Sequence, residues 1–112
     1  MGFEYYIFLI DLFLMASKDV VRLMIALHIS IYGRVQAVGF RNWIKKSAEK
    51  KGVFGWVRNA SAGSVEAFIQ GEDEILNDLL ALCWEGPDLA DVEDILTQDS
   101  NVDESIDSFD IH

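Results

Sequence analysis

The sequence predicts an α+β fold in which an antiparallel sheet is covered on one face by two helices. Stretches with apolar residues at every second position alternate with stretches at helical spacing, in the order β-α-β-β-α-β. The 112 residues are enough for one domain, and 51% of them are hydrophobic, so a single core can form. Each element of this order has its own local signal.

The first strand and the first helix meet at a Gly-rich connection. Alternate residues from Leu27 to Val35 are apolar, which predicts a strand with one buried face. Apolar positions over 40–51 then recur at helical spacing. Gly52 ends this helix just past a basic last turn, where cations interact favourably with the helix dipole.

A hairpin is predicted next. The period of two returns over 53–58 and again over 65–70. The turn between these strands, at 59–63, is short and contains Gly, as hairpin connections commonly do.

The last part of the chain supplies a second helix and a final strand. An acidic run at 72–74 begins the helix and the Gly-Pro pair at 86–87 ends it. Residues 92–96 are expected in an extended segment, 99–107 in a solvated acidic loop and 106–111 in the last short strand. The complete order is that of a ferredoxin-like, split βαβ sandwich.

Residues 1–22 are predicted to be an extension, helical or disordered, ahead of a domain at 23–112. The apolar run at 3–15 is shorter than the ~20 residues of a membrane-spanning helix and contains Glu4 and Asp11. A secretory signal would carry basic residues before such a run, and none is present. Three interpretations stay open: a helix packed on the domain or a partner, a weak membrane association, and an upstream extension outside the functional unit. An exposed run of this kind predicts self-association.

Charge is distributed unevenly, and it argues against nucleic acid as a partner. The net charge is −10, yet seven of the nine basic residues lie within 34–58. An acidic protein repels a polyanion, whereas a local cationic segment suits a small anionic ligand. The lysines of the first helix are also explained as its solvated face.

The connection at 33–41, with the sequence GRVQAVGFR, has the features of an anion site. Gly33, Ala37 and Gly39 are small, so the backbone N–H groups of the turn can converge on an anion beside a helix N-terminus. The planar guanidinium of Arg41 can bind two phosphate oxygens at once. Taken alone, these residues are explained somewhat better by an ordinary turn followed by a surface Arg.

A second motif strengthens the phosphate interpretation. GRVQAVGFR resembles the acylphosphatase signature G-R-V-Q-G-V-x-F-R, from which it departs at Ala37. The segment GWVRN at 55–59 is similar to the second motif of that family, G-[WYF]-V-[KR]-N, and stands at the family's spacing. The resemblance extends from about residue 25 to the C-terminus and includes an F-x-I strand at Phe109 and Ile111.

This resemblance implies hydrolysis of acyl phosphates to a carboxylate and inorganic phosphate, with no metal and no cofactor. The backbone N–H groups expected to bind the phosphoryl oxygens are those of Gln36, Ala37, Val38, Gly39 and Phe40. Arg41 is expected to bind the same oxygens, and the Asn59 amide to orient the attacking water. An acyl phosphate has a good leaving group, so positioning and charge stabilisation can carry most of the catalysis.

Ala37 is the departure that bears on the rate. If the backbone has a positive φ here, a Cβ costs about 1–2 kcal/mol or displaces the loop. The hypothesis is an active enzyme that is slower than one with Gly at this position. The alternative is a binding or regulatory module of the same fold that has lost its activity.

The remaining predictions concern partners and other candidate residues. We expect phosphate or sulfate as a ligand of the loop, no membrane span and a cytoplasmic location, for which the single cysteine is consistent evidence. RNA binding by the sheet is disfavoured by the charge and by the lack of an RNA-recognition pattern. Trp43, Trp56 and Trp84 are interpreted as packing residues, and Cys83 as a core residue.

Overall fold

The computed structural model describes residues 23–112, and the extension predicted at 1–22 lies outside the described residues. The secondary structure elements are β1 (Met24–Arg34), α1 (Phe40–Lys51), β2 (Phe54–Asn59), β3 (Val65–Glu72), α2 (Asp73–Glu85), β4 (Asp91–Ser100) and β5 (Phe109–Ile111). A single 3-10 turn, Ser61–Gly63, lies between β2 and β3.

The five strands form one sheet in the order β4-β1-β3-β2-β5. Neighbouring strands are antiparallel except β2 and β5, which run parallel, so the sheet is mixed where an antiparallel sheet was predicted. The first six elements confirm the predicted βαββαβ order. The correction concerns the end of the chain: the closing strand of that order is β4, and β5 is an additional short strand at the far edge.

Strand β4 is longer than predicted, and the acidic loop is correspondingly shorter. Extended pairing with β1 continues to Ser100, so Asp99 belongs to the strand and pairs with Leu27. The connection from β4 to β5 passes from one edge of the sheet to the other. Gln70 of β3, which is 2% exposed, fixes this crossing by donating to the carbonyl oxygens of Asp103 and Ile106.

Both helices pack against one face of the sheet, and the core lies between these two layers. Alternate residues of the strands point to this face, so Ile29, Ala67 and Val57 follow one another across β1, β3 and β2. The helices contribute a stripe of residues at helical spacing, including Ile44 of α1 and Leu79 of α2, both fully buried. The alternation seen in the sequence therefore corresponds to burial under the helices.

The opposite face of the sheet carries an aromatic and charged cluster. The indole of Trp56 stacks on the imidazole of His112, with ring centroids 5.3 Å apart, and lies under the guanidinium of Arg58. Glu66 pairs with both Arg58 and His28 on this face. Trp43 packs edge-on against Phe40 as predicted, whereas Trp84 is 50% exposed and is not a packing residue.

Candidate active site

A cleft of about 160 Å³ opens where β1 leads into α1. Its lining includes the two side chains singled out from the sequence, Arg41 and Asn59, which are far apart along the chain. The complete lining is Val35, Ala37, Gly39, Phe40, Arg41, Asn42, Asn59 and Ile111. The fold therefore brings both sequence motifs and the C-terminal strand to one place.

The loop between β1 and α1 contains two residues with left-handed backbone. Ala37 has φ of 60°, and Gly39 has φ of 80° and ψ of 16°. Left-handed residues alternating with others turn successive N–H groups toward a common point, which is the geometry of an anion-binding nest. Gly39 is also the N-cap of α1, where no side chain caps the helix and the first turn has no acidic residue. No side chain of the first turn of α1 therefore offsets the partial positive charge at this helix end, which can interact with an anionic ligand.

Arg41 lies in the first turn of α1 and is half-buried at the cleft. Among residues 23–112, no carboxylate lies within salt-bridge distance of its guanidinium. Arg58 differs, because its guanidinium is 2.9 Å from the carboxylate of Glu66. Of these two arginines, Arg41 is the one whose charge faces the cleft.

Asn59 reaches the cleft because of its place in the register of the sheet. It is the last residue of β2 and pairs with Val65 of β3, which in turn pairs with Ile31 of β1. Val65 and Ile31 are fully buried beneath the helices, so Asn59 is on the helix-covered face. Arg58, one residue earlier, is on the opposite face.

Gly33, the first residue of the loop motif, serves the sheet. A β-bulge separates Tyr32 from Gly33, and Gly33 pairs with Val92 of β4. With φ of 126°, a Cβ added at Gly33 would be 2.1 Å from the carbonyl oxygen of Asp91. Glycine is therefore required here by the approach of the β4 backbone, and the residue is not part of the cleft lining.

Comparison with known proteins decides the family. The acylphosphatase family model matches residues 27–111. The chain belongs to the acylphosphatase family.

Curated acylphosphatases and solved structures agree with this assignment. An acylphosphatase from Acidiphilium cryptum is 47% identical over 73 residues, which is 65% of this chain and 80% of the relative. One from Thiobacillus denitrificans is 53% identical over 70 residues, covering 62% of this chain and 79% of the relative. The structure of an acylphosphatase from Coxiella burnetii superposes with a TM-score of 0.76 at 32% identity, covering 80% of this chain and 93% of that one.

Membership of the acylphosphatase family confirms three predictions made from the sequence. The family itself and the ferredoxin-like fold class are confirmed. The enzyme class, a hydrolase acting on small-molecule acyl phosphates, follows from the membership.

The lining of the cleft differs in part from the residues that the motifs suggested. Of the five loop residues expected to bind phosphate through their backbone, Ala37, Gly39 and Phe40 line the cleft, whereas Gln36 and Val38 do not. Three further lining residues were not predicted: Val35, Asn42 and Ile111. Ile111 could have been found from the alternation within its strand, because Phe109, two residues earlier, is buried on the same helix-covered face. It supplies the exposed apolar wall of the acylphosphatase cleft, at 37% exposure.

The one cysteine among residues 23–112 is Cys83. Cys83 is fully buried on α2, and this burial raises the pKa of its thiol to about 12, as expected for a core residue. Within residues 23–112, no three His, Cys, Asp or Glu side chains are grouped so that they could hold a metal ion. Neither α1 nor α2 has the length and hydropathy needed to cross a bilayer, and no other α-helix is described.

Proposed function

We propose that this acylphosphatase hydrolyses its substrates by attack of a water molecule, oriented by Asn59, on a phosphoryl group held by the loop and Arg41. The observation that carries the proposal is the single cleft that contains Arg41, Asn59 and the left-handed loop residues Ala37 and Gly39. These groups come from two separate stretches of the chain, 37–41 and the end of β2, and none of them belongs to the buried core.

Phosphate binding is assigned to the loop backbone and to the N-terminus of α1. The N–H groups of Gln36, Ala37, Val38, Gly39 and Phe40 are the proposed donors to the phosphoryl oxygens. The two left-handed residues and the uncapped helix end support this assignment, because left-handed turns and helix N-termini are backbone arrangements that bind anions.

Arg41 is assigned the role of binding the phosphoryl oxygens whose charge changes during the reaction. A guanidinium binds two such oxygens through parallel N–H donors, and a partly desolvated cleft strengthens the interaction. The distance of Arg41 from any carboxylate of the described chain supports this role, since its charge is not neutralised within the domain.

The proposed step balances without an added acid or base. The water oxygen forms a bond to phosphorus while the bond from phosphorus to the carboxyl oxygen breaks, and the carboxylate leaves with the electron pair. The proton lost by the water remains on the released phosphate. Asn59 accepts a hydrogen bond from the water and thereby orients it opposite the leaving group. Because the leaving carboxylate is a weak base, orientation and charge stabilisation are sufficient.

Hydrolysis of benzoyl phosphate by the wild type, Arg41→Ala and Asn59→Ala tests the assignment. Each substitution should lower kcat by about a hundredfold or more, because each removes a group that stabilises or positions the transition state. Arg58→Ala and Asn77→Ala are matched controls on the opposite sheet face and on α2, and they should retain activity. An inactive wild type would support the binding module instead. Equal activity in all five proteins would remove these two residues from the mechanism.

Four further proposals accompany this mechanism. Phosphate or sulfate is the proposed ligand of the loop in the absence of substrate, supported by the same N–H groups. The domain is proposed to be 23–112, supported by the family match at 27–111, with 1–22 as an extension. Self-association through 3–15 rests on the apolar sequence alone, and a cytoplasmic location rests on the single cysteine.

A further inference from the structure

The side chain of Gln36 extends from the phosphate-binding loop to the β2–β3 turn. Its amide nitrogen donates to the carbonyl oxygen of Ala60, at 2.9 Å, and to that of Ser64, at 2.8 Å. A glutamine amide nitrogen has two hydrogens, so both donors are used on one turn. Gln36 is half-buried, and these two contacts are the hydrogen bonds that its side chain makes within the described chain.

The turn that Gln36 binds begins directly after Asn59. Its ends are joined by a hydrogen bond from the Ala60 N–H to the Ser64 carbonyl oxygen, at 2.8 Å. The three residues between them, at 61–63, are exposed. The Gln36 amide therefore closes the base of the turn and joins it to the loop at the same time.

We propose that Gln36 is a positioning residue that sets the location of Asn59 relative to the phosphate-binding loop. The inference rests on the function proposed above for Asn59 and for the loop. Its physical basis is that Gln36 directly precedes Ala37 of the cleft lining, while its side chain holds the segment that follows Asn59. A misplacement of about 1 Å in a catalytic group can lower a rate a hundredfold, so a direct connection between the two halves matters for turnover.

The proposal predicts separate effects on chemistry and on phosphate binding. Removing the amide leaves Arg41 and the loop N–H groups in place, so affinity for inorganic phosphate should be retained. The water held by Asn59 loses its alignment, so kcat should fall. A purely structural role would lower stability and leave kcat of the folded enzyme unchanged.

Gln36→Met is the variant that tests this, and the chain offers a matched control. Gln70 also donates both amide hydrogens to two carbonyl oxygens of one loop, those of Asp103 and Ile106, at 2.9 and 3.1 Å. Gln70→Met removes the same kind of donated pair, and also the hydrogen bond that the Gln70 side-chain oxygen accepts from the Asp103 N–H, at the β4–β5 crossing, away from the cleft. Both variants should be less stable than the wild type. Only Gln36→Met should lower kcat for benzoyl phosphate, by about tenfold or more, with the inhibition constant of inorganic phosphate unchanged within about twofold.

A double-mutant cycle identifies the group through which Gln36 acts. If Gln36 works by placing Asn59, adding Gln36→Met to Asn59→Ala should lower kcat no further. If the two substitutions lower kcat independently, so that their fold-losses multiply in the double variant, the proposal is overturned. A wild-type kcat in Gln36→Met, or a loss of kcat in Gln70→Met as large as that in Gln36→Met, would also overturn it. If Gln36→Met does not fold, the shorter Gln36→Asn, which retains polarity, takes its place in the same cycle. An inactive wild type would refute the proposed function itself, whereas an active wild type with a fully active Gln36→Met refutes this inference alone.

Discussion

Ala37 and Ala62 share a left-handed backbone, with φ of 60° and 67°, and they are the two residues other than glycine that do so within 23–112. Ala37 lines the cleft, whereas Ala62 is exposed in the turn that follows Asn59. The expectation that the Cβ of Ala37 strains the loop required a positive φ at this residue, and the structure has one. For an L-residue this conformation costs roughly 1–2 kcal/mol.

Replacing either alanine by glycine should relieve this cost. The gain is partly offset by the extra ~0.4–1 kcal/mol of unfolded-state entropy that glycine brings, so unfolding free energy should rise by up to about 1 kcal/mol in each variant. Only Ala37→Gly should also raise kcat/KM, by up to about fivefold, because only the loop that contains Ala37 is proposed to bind the phosphate. Urea unfolding and benzoyl phosphate hydrolysis measure the two effects. Unchanged phosphate affinity and turnover in Ala37→Gly would mean that the loop was not strained.

Gly33→Ala should be far more damaging than Gly63→Ala. Both positions have positive φ, but a Cβ at Gly33 meets the Asp91 carbonyl oxygen at 2.1 Å, whereas nothing lies within 4 Å at Gly63. Backbone strain alone predicts a loss of about 1–2 kcal/mol at Gly63, and the collision raises the loss at Gly33 to about 3 kcal/mol or more. Chemical denaturation of both variants measures this difference, and equal losses would show that β4 moves away without cost.

Acid should weaken the ion pairs of Glu66. Burial raises the pKa of this carboxyl, but hydrogen bonds from His28 and Arg58 outweigh burial and lower the pKa below its usual value of 4.5. A depressed folded-state pKa adds stability above the unfolded value, and this stability is lost as pH falls through the folded-state pKa. The destabilisation caused by Glu66→Gln should therefore be complete at neutral pH and shrink below about pH 4.5. Glu104→Gln, in the exposed β4–β5 connection, is the control. A pH-independent difference would contradict this assignment.

The thiol of Cys83 should be unreactive in the folded protein. Burial raises its pKa to about 12, so the thiolate is scarce near neutral pH and the sulfur is inaccessible. Labelling by iodoacetamide should follow urea-induced unfolding, and the folded enzyme should keep its activity in the reagent. Rapid labelling with loss of activity under native conditions would instead indicate a functional thiol.

Local patterns in the sequence were sufficient for much of the fold. The period of two from Leu27 onward and the helical spacing from Phe40 reflect burial on one face, which any packing of these elements preserves. Sheet order is a long-range property, so a strand of three residues at Phe109–Ile111 could not be assigned its parallel partner in advance. The extension of β4 into the acidic stretch was missed because pairing with β1, and not burial, keeps it extended.

The site was predictable to the extent that its residues belong to motifs. Arg41 and Asn59 were identified from the signatures, and the structure places both at one cleft. The contact of Gln36 with the turn was not predictable, because it depends on where the carbonyl groups of Ala60 and Ser64 point in three dimensions. The left-handed backbone of Ala37 was not predictable either, because it depends on the path of the loop in three dimensions.

A single turnover of benzoyl phosphate in ¹⁸O-labelled water, with enzyme in excess, tests most directly the claim that water attacks phosphorus in this cleft. Mass spectrometry of both products shows which bond was broken. The account predicts one ¹⁸O atom in the inorganic phosphate and none in the benzoate. Incorporation of ¹⁸O into benzoate would show attack at the carbonyl carbon and would contradict the roles proposed for Arg41 and Asn59.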